Sequence, residues 1–267
     1  EHLKNLQKEF FIASKDKENA PFVDITPEQT QQIMLQAKKN SERWRKMDLN
    51  GKTKEEILKS FDVPAKMKIF TYEGEKDTIM KPTDSIIYYK HMRQTGMMAM
   101  EPRSGHIKAW VGGINYKYFQ YDHVGQGARQ VGSTFKPFLY ATAIEQLGMS
   151  PCDSIIDSYF TMPKGKWGID ADWSPKNSDG NYRGTITLQK ALANSVNTVS
   201  AKLIDRVGPK AVVDMAKELG VTSDIPEQPS IALGAVDITV EQMVGAMSTF
   251  ANQGVYVKPT FIIKIED

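Results

Sequence analysis

The segment spanning residues 130–138 constrains this chain most, because it fixes where one helix begins and what that helix carries. A helix tolerates proline only in its first turn, so Pro137 predicts a helix that begins no earlier than about Ser133. Apolar residues then recur at intervals of four as far as Gly148, which is a typical C-terminal cap. Proline also disfavours a helical Lys136, and such local conflicts tend to persist where a functional site needs them.

Ser133 and Lys136 are the candidate chemical groups of this helix start. They lie three residues apart, so the first turn places the hydroxyl and the amine on one face. A desolvated lysine can take the serine proton, and the amides at a helix N-terminus favour an oxyanion. The spacing alone is common by chance, and the chain holds a second Ser-x-x-Lys at Ser14 and Lys17 in a charged stretch.

Composition excludes several classes of function. The net charge of +2 comes from 34 basic and 32 acidic residues, so no nucleic-acid partner is predicted. The single Cys152 excludes an internal disulfide and a cysteine-built zinc site. No apolar run reaches the roughly 18 residues of a membrane span, and no signal peptide is present. Because the sequence starts abruptly at Glu1, we expect any membrane anchor to lie outside these residues.

The local patterns predict a helical first part and a mixed remainder. Residues 1–63 are polar and helical, with capping boxes that begin at Thr26 and Thr53. Short strands are predicted at 67–72 and 77–80, at 97–100 and 107–111, and near 256–265. Residues 114–131 and 149–186 are predicted to be long irregular loops.

Ser195-x-Asn197 is the only Ser-x-Asn in the chain. It lies on a predicted break between two helices, since serine and asparagine compete with the backbone for hydrogen bonds. Taken alone, helix capping is the default interpretation of these two side chains. Ser-x-x-Lys followed by Ser-x-Asn is, however, part of the signature of serine β-lactamases and penicillin-binding proteins.

The flanking sequence extends this resemblance well beyond the two motifs. From about residue 65 to the end, the chain closely resembles the transpeptidase domain of class A penicillin-binding proteins. The segments that carry the likeness are residues 99–113, 129–137, 175–177 with Gly184, 191–197 and 230–234. Residues 1–64 resemble the helical connector that joins such domains to an upstream glycosyltransferase domain.

The resemblance implies an α+β fold of the penicillin-binding/serine β-lactamase type, with an antiparallel sheet and helices on both sides. It implies a peptidoglycan D,D-transpeptidase in which Ser133 is the nucleophile and Lys136 its base. Ser195 would relay a proton to the leaving D-alanine, and Asn197 would hold the peptide amide or Lys136. Asn177 is a candidate substrate-binding residue, with a structural turn as the equal alternative.

Partners and surroundings also follow from the resemblance. The expected ligands are D-Ala-D-Ala stem peptides, a lipid-linked precursor in the full-length protein, and β-lactams, with no metal and no organic cofactor. The expected location is the extracytoplasmic face of the bacterial inner membrane.

The sequence departs from the family in one respect: it contains no Lys-Thr-Gly or Lys-Ser-Gly. The family places that motif on a later strand, so we expect a transpeptidase fold truncated before its last strands and inactive by itself. In such a fold the apolar face of the hairpin over residues 97–112 would be uncovered, with Met98, Met100, Ile107 and Ala109 among the candidates.

Two other functions remain open. A serine β-lactamase would need a water-activating carboxylate near Ser133, and residues 149–186 offer no case for one. A non-catalytic β-lactam sensor or cell-wall-docking module would not need all four of the motif side chains. For catalysis we expect the Ser133 hydroxyl, the Lys136 amine and the Ser195 hydroxyl to converge within hydrogen-bonding reach or one water of it.

Overall fold

The computed structural model describes residues 2–14, 20–23 and 25–265 and divides the chain into two compact units, Glu1–Gln94 and Thr95–Asp267. Lys17, of the second Ser-x-x-Lys, lies outside the described residues. The division falls after Gln94, whereas the sequence placed it after residue 64. The reason is that the segment after residue 64 bonds to the helices before it. The Thr83 amide and hydroxyl both donate to the Phe61 carbonyl, and the Gln7 amide donates to the His91 carbonyl.

The first unit contains five helices and one hairpin among its described residues. Its elements are α1 (His2–Ser14), α2 (Pro27–Lys39), α3 (Glu42–Leu49), α4 (Lys54–Ser60), β1 (Ala65–Thr71), β2 (Gly74–Met80) and α5 (Pro82–Lys90). The capping boxes at Thr26 and Thr53 are both formed. Each satisfies two backbone amides that a helix start leaves without partners, which confirms both predicted helix starts.

The second unit interleaves helices with short strands. Its elements are β3 (Met97–Met100), β4 (Ile107–Val111), β5 (Arg129–Gln130), α6 (Lys136–Leu147), β6 (Ser154–Asp157), β7 (Gly184–Thr187), α7 (Leu188–Ala193), α8 (Asn197–Val207), α9 (Pro209–Glu218), β8 (Asp237–Ile238) and α10 (Val240–Ala251). The predicted α+β class is confirmed. The strands of the described residues form four antiparallel pairs, β1–β2, β3–β4, β5–β8 and β6–β7.

The β6–β7 pair corrects the prediction that residues 149–186 are an irregular loop. Ser154 pairs with Thr187 and Asp157 with Gly184, so this ladder joins the two ends of the long loop. The expected strand over 256–265 is not formed. Residue Thr260 makes a single bridge to His106 beside β4, and no ladder continues from it among the described residues.

The β3–β4 hairpin is covered differently from what was expected. Met98 is buried at 8% exposure, because α10 packs against β3, and Met100, Ile107 and Ala109 are half-buried. The prediction that Met98 would be uncovered is therefore wrong. The exposed apolar side chains are Met97 and Val111, which pair at the end of the hairpin.

The core of the second unit is built on α6 and α8. The fully buried side chains of these two helices include Phe138, Leu139, Val199, Leu203 and Ile204. Both elements that carry the candidate site therefore belong to the best-packed part of the unit.

No helix within the described ranges is both long enough and apolar enough to span a bilayer.

Candidate active site

The turn that carries Ser133 is a 3₁₀ turn, Gly132–Phe135, placed directly before α6. Gly132 has φ of 56°, a left-handed conformation that glycine adopts without strain. Lys136 is helical (φ −54°, ψ −36°) although Pro137 follows it, so the local conflict expected from the sequence is present. Gly148 ends α6 with φ of 62°, which confirms the predicted C-cap.

The turn is held from the side by the segment that follows the 3₁₀ turn Pro229–Leu233. The amide of Val131 donates to the Val236 carbonyl at 3.0 Å, and the amide of Gly132 donates to the Gly234 carbonyl at 3.1 Å. Beside them β5 pairs with β8, with Gln130 opposite Asp237. The backbone leading to Ser133 is thus part of a small ladder, whereas the Ser133 side chain itself is exposed.

Lys136 is the buried cation of the site. The residue is only 1% exposed. Its ammonium nitrogen donates hydrogen bonds to three acceptors. These are the Ser195 carbonyl at 2.7 Å, Ser195 Oγ at 3.0 Å and Asn197 Oδ1 at 2.7 Å. Burial lowers the pKa of Lys136 from 10.5 to about 8, because a desolvated ammonium is disfavoured relative to the neutral amine. The structure therefore joins Lys136 with both residues of the Ser-x-Asn motif.

Ser195 occupies the break between α7 and α8 in a strained conformation. Its φ of 53° is left-handed, which costs a residue with a Cβ roughly 1–2 kcal/mol. Strain of this kind collects at functional sites. The conformation turns both the carbonyl and the hydroxyl of Ser195 toward Lys136, so one strained residue supplies two of the three acceptors.

Asn177 is buried beneath this break. It is 6% exposed, and its Oδ1 accepts from the amides of Asn197 at 2.9 Å and Thr198 at 3.2 Å. Its Nδ2 donates to Asp157 and to the Asn181 carbonyl. The side-chain amide therefore already has partners for its donors and its acceptor, and these are neither those of a local turn nor a substrate. Asn177 caps α8, whose own N-cap residue, Val196, has no side chain able to do so.

Asp157 belongs to this site although no sequence motif pointed to it. Its carboxylate is buried and accepts from Thr198 Oγ1, from Asn177 Nδ2 at 2.9 Å and from the Arg183 amide at 2.9 Å. Burial by itself raises the pKa of this carboxyl, but the hydrogen bonds from Thr198, Asn177 and Arg183 outweigh it and hold the pKa below 3.8. The sequence pattern that could have indicated it is the segment Ser154–Asp157, in which two apolar residues are followed directly by an aspartate.

The expected convergence of three groups is found for two of them. Lys136 Nζ and Ser195 Oγ are hydrogen-bonded, whereas the Ser133 hydroxyl makes no hydrogen bond to any residue that the structure describes. Catalytic hydrogen bonds are often long before substrate binds and tighten in the complex. Over the described ranges, no group of three or more His, Cys, Asp or Glu side chains is arranged to hold a metal ion.

Comparison with known proteins gives a consistent result for both units. Residues 17–92 match the family described as the penicillin-binding protein middle domain, and residues 95–267 match the penicillin-binding protein transpeptidase domain. Penicillin-binding protein 1A of Aquifex aeolicus is 38% identical over 174 residues, which cover 64% of this chain and 23% of that protein. The protein of the same name from Neisseria flavescens is 37% identical over 175 residues, covering 65% and 22%.

A solved structure gives the same indication. The crystal structure of penicillin-binding protein 1A from Haemophilus influenzae superposes with a TM-score of 0.61 at 30% identity, over 65% of this chain and 26% of that one. The chain thus spans about a quarter of the length of the relatives it matches.

Proposed function

This chain belongs to the penicillin-binding protein transpeptidase family, and from that premise we propose that it carries the acylation centre of a peptidoglycan D,D-transpeptidase. The observation that supports this most is the buried Lys136, which bonds to Ser195 and Asn197 one helical turn after an exposed Ser133. A lysine with a pKa of about 8 is neutral in roughly a tenth of the molecules at pH 7. At its ordinary pKa of 10.5 the lysine would be neutral in well under a thousandth of the molecules at pH 7.

The chemistry we assign is acyl transfer through a serine ester. Ser133 Oγ attacks the carbonyl of the terminal D-Ala-D-Ala bond while neutral Lys136 accepts the hydroxyl proton. The amide of Ser133, at the start of its turn, stabilises the oxyanion, and one such donor contributes about 10²–10³ in rate. The C–N bond then breaks, and D-alanine leaves with a proton that Lys136 returns through the Ser195 hydroxyl.

The acyl-enzyme is resolved by an amine from a neighbouring stem peptide, which forms the cross-link and frees Ser133. Stem peptides and a lipid-linked precursor are therefore the proposed substrates, and β-lactams are proposed to acylate Ser133 stably. We place the protein at the extracytoplasmic face of the bacterial inner membrane, held by a segment outside this sequence, and assign the helical first part as a connector. The 267 residues contain no Lys-Thr-Gly, so we propose that they are inactive by themselves.

The test is covalent labelling of the full-length protein with a fluorescent penicillin. We expect one equivalent of label on the peptide that contains Ser133, and none in a Ser133→Ala variant. Ser14→Ala is the matched control, because it alters the other Ser-x-x-Lys of the chain, and it should label fully. Labelling that survives Ser133→Ala contradicts the assignment. Rapid release of the label as penicilloate would instead identify a β-lactamase, and stable labelling without any cross-linking of stem peptides would identify a sensor.

A further inference from the structure

The buried group Asp157–Asn177–Thr198 lies directly behind the residues that bind Lys136. Thr198 follows Asn197 in α8, and its hydroxyl donates to Asp157. The amide of Asn197 itself donates to Asn177 Oδ1, and Asn177 Nδ2 donates to both oxygens of Asp157, at 2.9 and 3.2 Å. The Asp157 carboxylate is thus connected to the start of α8 in two ways. It accepts directly from the Thr198 side chain, and it accepts from Asn177, which in turn accepts from the Asn197 backbone amide.

The orientation of Asn177 is set by that carboxylate together with the Asn181 carbonyl, since Nδ2 donates to both. An ionised carboxylate only accepts hydrogen bonds, so it forces the NH₂ side of the Asn177 amide toward itself. The carbonyl side then faces α8, where it accepts from the first two amides of the helix. Reversing the amide would place NH₂ against those N–H groups and leave them unpaired. Asp157 is thus one of two acceptors, with the Asn181 carbonyl, that hold Asn177 Nδ2 and leave its Oδ1 directed at the first amides of α8.

The start of α8 matters to the chemistry because Asn197 is its first residue. Asn197 Oδ1 accepts from Lys136 at 2.7 Å, and Asn197 Nδ2 donates to the Lys176 carbonyl at 2.9 Å. A shift of the first turn of α8 would move Oδ1 away from the lysine and alter the adjoining Ser195 acceptors. Misplacement by about 1 Å far from the reacting atoms can cost roughly 10²-fold in rate.

We propose that Asp157 is a positioning residue for acylation: through Asn177 and Thr198 it fixes the first turn of α8 and so holds Asn197 on Lys136. This inference rests on the proposed function of Ser133 and Lys136. Asp157 does not touch the substrate or the reacting atoms, and its effect is transmitted through Asn197. Removing its charge is expected to slow the covalent step while leaving the non-covalent affinity for penicillin little changed.

The experiment measures the acylation rate constant and the non-covalent dissociation constant separately in the full-length protein. In Asp157→Asn the side chain has one acceptor oxygen instead of two, while the Thr198 hydroxyl, Asn177 Nδ2 and the Arg183 amide still donate toward it. We therefore expect the acylation rate constant to fall by about 10²-fold. Thr198→Val removes one of those hydrogen bonds and keeps the side-chain shape, with an expected fall of roughly ten-fold. Thr198→Ser keeps the hydroxyl and should restore most of the rate. Thr142→Val, an equally buried change whose hydroxyl bonds only within α6, should leave acylation unchanged.

A double-mutant cycle distinguishes positioning from general destabilisation. In an Asn197→Ala background, Asp157→Asn should cost far less than in the unaltered protein, because the side chain it positions is already gone. An equal fall in both backgrounds would overturn the proposal, as would an unaltered rate in Asp157→Asn. If Asp157→Asn does not fold, the pair Thr198→Val and Thr198→Ser decides in the same way. Failure of the proposed function itself would appear differently, as absence of labelling in the unaltered protein.

Discussion

Gly234 lies against Gly132 so closely that a Cβ added to Gly234 would fall 1.7 Å from the Gly132 carbonyl oxygen. The contact is one residue before Ser133, and the amide of Gly132 donates back to the Gly234 carbonyl. Because the obstructing atoms are backbone, no side-chain rotation can relieve the clash. The turn that carries Ser133 is therefore shaped by a glycine about a hundred residues further along the chain.

The first prediction follows from this contact. Gly234→Ala should lower the unfolding midpoint by more than about 10 °C, or prevent folding, because overpacking adds to the cost of a left-handed alanine. Gly148→Ala is the matched control: it is also left-handed, with φ of 62°, but a Cβ there meets nothing within 4 Å. It should cost only about 1–2 kcal/mol. Equal midpoints for the two variants in thermal unfolding would contradict the packing argument.

The second prediction concerns the strained Ser195. Ser195→Ala and Ser195→Gly both remove the hydroxyl that bonds to Lys136, so acylation should fall by about 10²-fold or more in each. The glycine variant relieves the left-handed strain, so it should unfold at a temperature a few degrees above the alanine variant. Gln253→Gly is a control at another left-handed position, with φ of 54°: it should raise stability without changing acylation. Wild-type acylation in Ser195→Ala would remove this residue from the mechanism.

The third prediction is the pH dependence of acylation. Only neutral Lys136 can accept the Ser133 proton, and burial lowers the pKa of Lys136 to about 8. The acylation rate constant should therefore rise with pH and reach half its maximum near pH 8. Lys136→Arg keeps its charge throughout this range and should show almost no acylation at any pH. A rate that is flat between pH 6 and pH 9, measured by stopped-flow labelling, would exclude Lys136 as the base.

The fourth prediction concerns stability and follows from the same lowered pKa. Between pH 8 and 10.5 the unfolded chain holds a proton on Lys136 that the folded chain has released. Stability rises with pH wherever the unfolded state binds more protons, so this residue makes the protein more stable as pH rises through that window. Lys136→Met cannot titrate, and it should lack this contribution. The measurement is the free energy of unfolding of the unaltered protein and of Lys136→Met, each at pH 7 and at pH 10. If the difference between the two proteins is the same at both pH values, the pKa of Lys136 is not lowered by folding.

The sequence determined the features that depend on neighbours a few residues apart. The caps at Thr26 and Thr53, the end of α6 at Gly148 and the break at Ser195 were all predicted, because each follows from contacts between residues a few positions apart. The hairpin of β3 and β4 was predicted as well, because its turn is short and its paired residues are no more than 14 positions apart. The resemblance of several segments to one family also identified the fold, which the comparisons confirm.

Only the tertiary structure decided how those pieces combine into a site. The bond from Lys136 to Asn197 joins residues 61 apart, and the bond from Asn177 to the start of α8 spans 20. Local pattern carries no information about such pairs. The family resemblance implied Asn197 near Lys136 as one of two alternatives, the role of Asn177 stayed open between substrate binding and a structural turn, and no motif pointed to Asp157. The physical reason is burial. A carboxylate or an ammonium leaves water only where a folded core brings enough partners around it, and the identity of those partners depends on the packing of α6 against α8.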